Sequence, residues 1–150
     1  MKGKLEPYLD FKGNAKEALK FYAEVFESPE PNFFTLKDMP EKDQKEAREY
    51  QPSMNDDWLM NGGVEIGDTV LMASDTSDEV AHGGKVIEGN NFTLSFSSEE
   101  GESVKKVWDR FVEGGAEVIM PLEETFWAKQ YGFLKDHFGI QWMIQQYTRE

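Results

Sequence analysis

The chain has 150 residues, 16 Lys+Arg against 29 Asp+Glu, and a net charge of −13. It has no cysteine, which excludes disulfides, thiolate metal sites and a cysteine nucleophile. No apolar run approaches the roughly 20 residues of a membrane helix, and Met1-Lys2-Gly3-Lys4-Leu5-Glu6 lacks the apolar stretch of a secretory signal, so a cytoplasmic protein is expected.

The charge is uneven. Residues 51–100 carry 1 basic and 10 acidic side chains. Gripping phosphates requires clustered Lys and Arg, so nucleic acid and anionic membrane are excluded as expected partners. A neutral or cationic small molecule suits such a surface better.

In chain order, Leu5–Phe11 alternates as a strand, with Pro7 placing it at a sheet edge or near the strand start. Asn14 with Glu17 three residues on reads as a capping box. Ala15, Ala18, Leu19, Tyr22, Val25 and Phe26 then form one apolar helical stripe. Pro29 and Pro31 end that helix near Ser28. Asn32–Lys37 reads as a strand. Residues 38–56 are polar, contain Pro40 and Pro52, and read as a surface excursion with a solvated helical turn or two, of the kind that can serve as a lid. Trp58–Ile66 and Thr69–Ala73 flank Gly67-Asp68, a hairpin signal. After a polar loop comes strand Phe92–Phe96, then a helix with Val104, Val107, Trp108, Phe111 and Val112 on one face, stopped by Gly114-Gly115. Strand Ala116–Met120, the aromatic segment Phe126–Phe133, the turn Asp136–Gly139 and strand Ile140–Tyr147 complete the chain.

The halves echo each other. Leu9-Asp10-Phe11 precedes one helix and Leu94-Ser95-Phe96 the other, so a β-α-β-β-β pattern is written twice. Each half is too small to bury a good core alone. The expected fold is α+β, one domain over 1–150 built of modules at about 4–75 and 90–148, with curved mixed sheets packed side by side around a cleft.

In order and spacing, Pro7-Tyr-Leu-Asp-Phe-Lys-Gly-Asn14, Glu17-Ala18, Phe21-Tyr22, Leu71-Met-Ala-Ser-Asp75, Gly114-Gly115, Met120-Pro121-Leu122, Tyr131-Gly132, Asp136-His-Phe-Gly139 and Trp142 resemble the PhnB-like branch of the vicinal oxygen chelate superfamily. That superfamily includes glyoxalase I, extradiol dioxygenases and bleomycin-resistance proteins. The resemblance implies the tandem-module fold and a homodimer. Its enzymes hold a divalent metal that polarises a substrate with neighbouring oxygens. Carried over, the ligand positions fall near Pro7, Asn61, Asn91 and Met143, none of them His, Asp or Glu. Such a set does not hold Zn²⁺ or Fe²⁺ tightly, so no metal and no cofactor are expected. Glu65 shares the Asn61 face if its strand is regular, and Gly62-Gly63 is a place where a bulge would break that regularity. Members of the branch also carry the label demethylubiquinone methyltransferase, but no glycine-rich cofactor loop supports methyl transfer here.

The candidate ligand-binding residues are Asn61, Glu65, Asn91, Trp127, Tyr131 and Trp142. Amides suit a neutral polar ligand, and aromatic walls suit flat or cationic ones. Core packing is the alternative reading of Trp127, Tyr131, Trp142, Phe126 and Phe133. No catalytic residue is assigned: His82 and His137 read as loop and turn residues, and no Gly-x-Ser-x-Gly elbow occurs. The expected function is metal-free binding of a small molecule. The alternatives are a metal-dependent lyase, isomerase or dioxygenase, and a metal-free enzyme using the same cleft.

Overall fold

In a computed structural model, residues 1–148 are described. The chain divides into two compact units, Met1–Ile87 and Glu88–Glu150. The first unit runs β1 (Tyr8–Phe11), α1 (Ala15–Val25), β2 (Asn32–Thr35), a 3-10 turn, α2 (Glu41–Tyr50), β3 (Leu59–Ile66) and β4 (Thr69–Asp75). The second runs β5 (Leu94–Ser98), α3 (Gly101–Glu113), β6 (Glu117–Glu123), β7 (Gln130–Lys135) and β8 (Gln141–Gln146). The sheet orders are β1-β4-β3-β2 and β5-β8-β7-β6. In each sheet the first strand runs parallel to the last of its unit and the remaining pairs are antiparallel. This is the α+β, twice-written β-α-β-β-β architecture read from the sequence.

Hydrogen bonding sets the equivalence of the two modules. Thr76 donates its N–H to the Phe11 carbonyl, and Tyr147 donates to Ser98. Phe11 therefore answers to Ser98, and the echo of Leu9-Asp10-Phe11 with Leu94-Ser95-Phe96 is shifted by two residues. An even shift leaves every side chain on its predicted face. The row Leu9, Ala73, Gly62 of the first sheet matches the row Phe96, Ile144, Gly132 of the second. Both rows lie under the helix of their module. A Cβ on Gly62 would meet the Asn32 carbonyl at 2.8 Å and Leu19 of α1 at 3.0 Å, and one on Gly132 would run into the Trp108 ring of α3. The missing side chain is what lets each helix approach its sheet. Beneath α1 lie buried Leu9, Phe11, Leu71 and Ala73; beneath α3 lie Leu134, Trp142 and Ile144.

The start of α1 differs from the sequence expectation. Asn14 makes no side-chain cap bond. Asp75, at the end of β4 and only 5% exposed, takes the Gly13 and Ala15 N–H groups on Oδ1 (2.7 and 3.0 Å) and the Leu59 N–H on Oδ2 (2.8 Å). A carboxylate sixty residues away in sequence outcompetes the local cap because it satisfies three donors at once. The matching position in the second module is Gln146, whose amide donates to the Glu99 carbonyl just before α3 and accepts from Gln130 at the start of β7.

The excursion contains a full ten-residue helix, α2, longer than the turn or two expected. It buries no side chain, and polar contacts hold the segment. Arg48 grips Asp56 with two N–H groups (3.0 and 3.1 Å), and Lys37 pairs with Asp57 at 3.0 Å. Ser53 donates its N–H and hydroxyl to Glu79 (3.1 and 2.6 Å). The buried Ser77 hydroxyl donates to Gln51 at 2.6 Å. The Ser53 hydrogen bond holds the Glu79 carboxyl below the ordinary carboxylate value, and Arg48 does the same for Asp56.

Two predictions follow from these contacts. Asp75→Ala strands three backbone donors and is expected to lower unfolding free energy by about 3 kcal/mol in urea titrations. Because the Glu79 and Asp56 pKa values are depressed on folding, their contribution to the excursion is present above the unfolded carboxylate pKa and lost as pH falls through the depressed values. Acidification should therefore erase the helical NMR shifts of residues 41–50 before those of β3 and β4.

Candidate functional site

Each helix covers one face of its sheet and leaves the other to be read strand by strand. In the first sheet Leu9, Phe11, Leu71, Ala73 and Asp75 point to the α1 side, so Tyr8, Asp10, Met72 and Ser74 point away from it. The β3 pairing with β4 is regular from Gly62 to Ile66, and the pairing with β2 is regular from Asn32 to Phe34. Asn61, Gly63 and Glu65 therefore share the uncovered face. The irregularity falls between Asn61 and Leu59, opposite Phe34 and Thr35, not at Gly62-Gly63. Asn61 and Glu65 are both exposed. Four residues of strand still separate them, about 13 Å, so they do not converge on one small group.

Carrying the Gly62–Ala73 pair one residue on sets Asn61 beside Ser74, which is paired with Asp10. Asp10, Ser74 and Asn61 thus form one row across three strands. The matching row of the second module is Ser97, Gln145 and Tyr131. Asn61 and Tyr131, chosen from the sequence for different reasons, occupy the same position of a duplicated module. Met72 and Met143 are likewise equivalent. Asp10 and Ser74 escaped the sequence reading because the first-strand position was set at Pro7, one residue before β1 begins.

The aromatic residues divide. Trp142 is 3% exposed, packs on Phe111 with ring centroids 5.1 Å apart, and donates its indole N–H to buried Asp136 at 2.9 Å. It belongs to the core under α3, the packing alternative. Phe126 and Trp127 lie in the β6–β7 loop, 97% and 50% exposed. Trp127 meets Phe126 and Tyr131 edge to face, at 4.7 and 5.2 Å. Asn91 lies in an exposed bend three residues before β5, off the strand face.

The divalent metal of the resembled enzymes finds no suitable donors. Among the described residues, no three His, Cys, Asp or Glu side chains gather. The face-lining positions supply amides, hydroxyls, thioethers and aromatic rings with two separated carboxylates, Asp10 and Glu65, which do not gather into a ligand set for Zn²⁺ or Fe²⁺. His82 and His137 are both exposed, in a 3-10 turn and in the β7–β8 turn.

Two β-α-β-β-β modules with one face of each sheet uncovered define a protein of the glyoxalase/bleomycin resistance/dioxygenase fold. A crystal structure of a Burkholderia phytofirmans enzyme of that superfamily superimposes with a TM-score of 0.62 at 17% identity, covering 94% of this chain and 97% of that one. The chain belongs to the family described as 3-demethylubiquinone-9 3-methyltransferase, whose model matches residues 3–145. It is 30% identical to protein YjdN of Escherichia coli K12 over 144 residues, 93% of this chain and 92% of the relative. Protein PA1353 of Pseudomonas aeruginosa, a crystal structure, shares 27% identity with a TM-score of 0.77 over 99% of this chain and 100% of its own.

The two tryptophans should respond oppositely to truncation. Trp142→Ala opens a core cavity and is expected to cost about 3–5 kcal/mol in urea unfolding. Trp127→Ala is expected to stay within about 0.5 kcal/mol, while removing the most acrylamide-accessible share of the tryptophan fluorescence and leaving that of partly buried Trp58.

Proposed function

We propose that the chain is a small-molecule binding protein that works without a metal, its ligand neutral or cationic and partly aromatic. The observation that carries this reading is the aromatic group of exposed Phe126 and Trp127 with half-buried Tyr131. A half-exposed tryptophan held edge-on between two rings is a rigid stacking surface, and solvent exposure of this much aromatic area has no role in packing the module. Acidic side chains outnumber basic ones throughout the chain, which favours a cation over those rings. The amides and hydroxyls on the uncovered faces bind and orient by hydrogen bonds, and the carboxylates there, Asp10 and Glu65, do not gather with a third ligand. The methyl transfer named in the family description has no support from a glycine-rich cofactor loop in this sequence.

Titration with proflavine, a planar aromatic cation, tests the reading through intrinsic fluorescence and thermal shift. Saturable quenching with a raised melting temperature is expected. Trp127→Ala should weaken binding about tenfold, the equivalent of ~1.4 kcal/mol. Equal affinity for wild type and Trp127→Ala, or no saturable response, would overturn the proposal. A stoichiometric, tightly held metal after purification without chelator would do the same.

A further inference from the structure

The two matched rows differ in one respect. In the second module two members of the row are bonded, because Gln145 donates its amide N–H to the Ser97 hydroxyl at 3.0 Å. In the first module no hydrogen bond links the row, and all three side chains carry an acceptor oxygen. Ser74 is nine-tenths buried, 9% exposed, on the uncovered side of β4, and its hydroxyl has no partner among the described residues. The Asp10 carboxylate accepts the Thr76 hydroxyl on Oδ1 at 2.8 Å, and its Oδ2 has no partner there. The Asn61 amide has none either. The nearest lysine in sequence, Lys12, is engaged with Asp78 at 3.0 Å, so no cation of the module neutralises the row.

No buried side-chain oxygen or nitrogen among the described residues lacks a partner, so the Ser74 hydroxyl opens to the uncovered face, where with the Asp10 Oδ2 and the Asn61 amide oxygen it offers three acceptor oxygens. Adjacent strands are about 4.8 Å apart, so Asp10 and Asn61 stand one strand to either side of Ser74. A primary ammonium group has three donors and no acceptor. We infer that the row Asp10, Ser74 and Asn61 binds a primary ammonium group of the ligand. This rests on the small-molecule reading above and names the chemical class of one end of that molecule. Asp10 supplies the charge, Ser74 and Asn61 the direction. An anionic group is repelled, and a quaternary ammonium is unable to donate a hydrogen bond to any of the three.

The test uses two probes, phenethylammonium and its N,N,N-trimethyl analogue, each titrated at neutral pH into the isotope-labelled full chain and followed by amide NMR shifts. Phenethylammonium is expected to move the amides of residues 10, 61 and 74 along saturable curves, and the trimethyl analogue to leave them in place. Asp10→Asn preserves the acceptor for Thr76 and removes the charge, so it should weaken binding at least tenfold. Ser74→Ala should weaken it severalfold with the remaining spectrum unchanged. Equal affinities for the two probes, or for wild type and Asp10→Asn, would overturn the inference. Shifts confined to Trp127 and Tyr131 would overturn the ammonium row and leave the small-molecule reading standing. No saturable shift anywhere would remove both.

Discussion

The first module is organised around one buried carboxylate. Asp75 joins the end of β4 to the start of α1 and to the start of β3, using both oxygens on three backbone donors. Those donors belong to chain segments that no regular ladder satisfies: the first turn of a helix and the entry to a strand. Burying a charge is expensive unless it is fully hydrogen-bonded, and here each bond also fixes where an element begins. Leaving the helix, the chain crosses the sheet edge and returns with its uncovered face already defined. That definition places Asp10, Ser74 and Asn61 in a row, since Asp10 and Ser74 are the residues next to Phe11 and Asp75 on their strands.

The second module solves the same problem with amides. Gln146 and Gln130 contact the start of α3 where Asp75 contacts the start of α1. Asp136 carries the buried carboxylate instead, tying the β7–β8 turn to the indole of Trp142. The duplication has thus preserved positions while exchanging chemistry. Two helix-facing glycines keep the helix–sheet distance, and two methionines keep their place on the uncovered face. The rows beside them have diverged, one joined by the Gln145–Ser97 hydrogen bond and one with no bond between its members.

Much of the fold was legible in the sequence. The apolar stripes of α1 and α3, the Gly67-Asp68 hairpin and the Gly114-Gly115 stop are local signals, and each element formed where its signal stood. The boundaries moved where a contact from elsewhere intervened. Helix α1 ends at Val25, before Ser28. Strand β6 runs through Pro121 to Glu123, because an edge strand tolerates a residue without an N–H. The candidate site was less legible. Asn61, Glu65 and Tyr131 are placed on uncovered faces by plain period-two alternation. Trp142 was not separable from Trp127 by composition, since both are aromatic residues near aromatic neighbours. Only the face of β8 decides that one is packed under α3 and the other exposed.

By itself the sequence determined the α+β class, the duplication, the order of elements and the acidic surface. Periodicity, turn chemistry and charge are local properties of the chain, readable without knowing what pairs with what. The tertiary structure decided the register, and register carries the chemistry. Which residue of β1 stands beside Ser74, and which residue caps α1, depends on hydrogen bonds between segments about 60 residues apart. A one-residue difference in that pairing turns a side chain to the opposite face of the sheet. The same strands thus present either a proline that offers no donor or an aspartate beside a serine hydroxyl, and only pairing chooses between them.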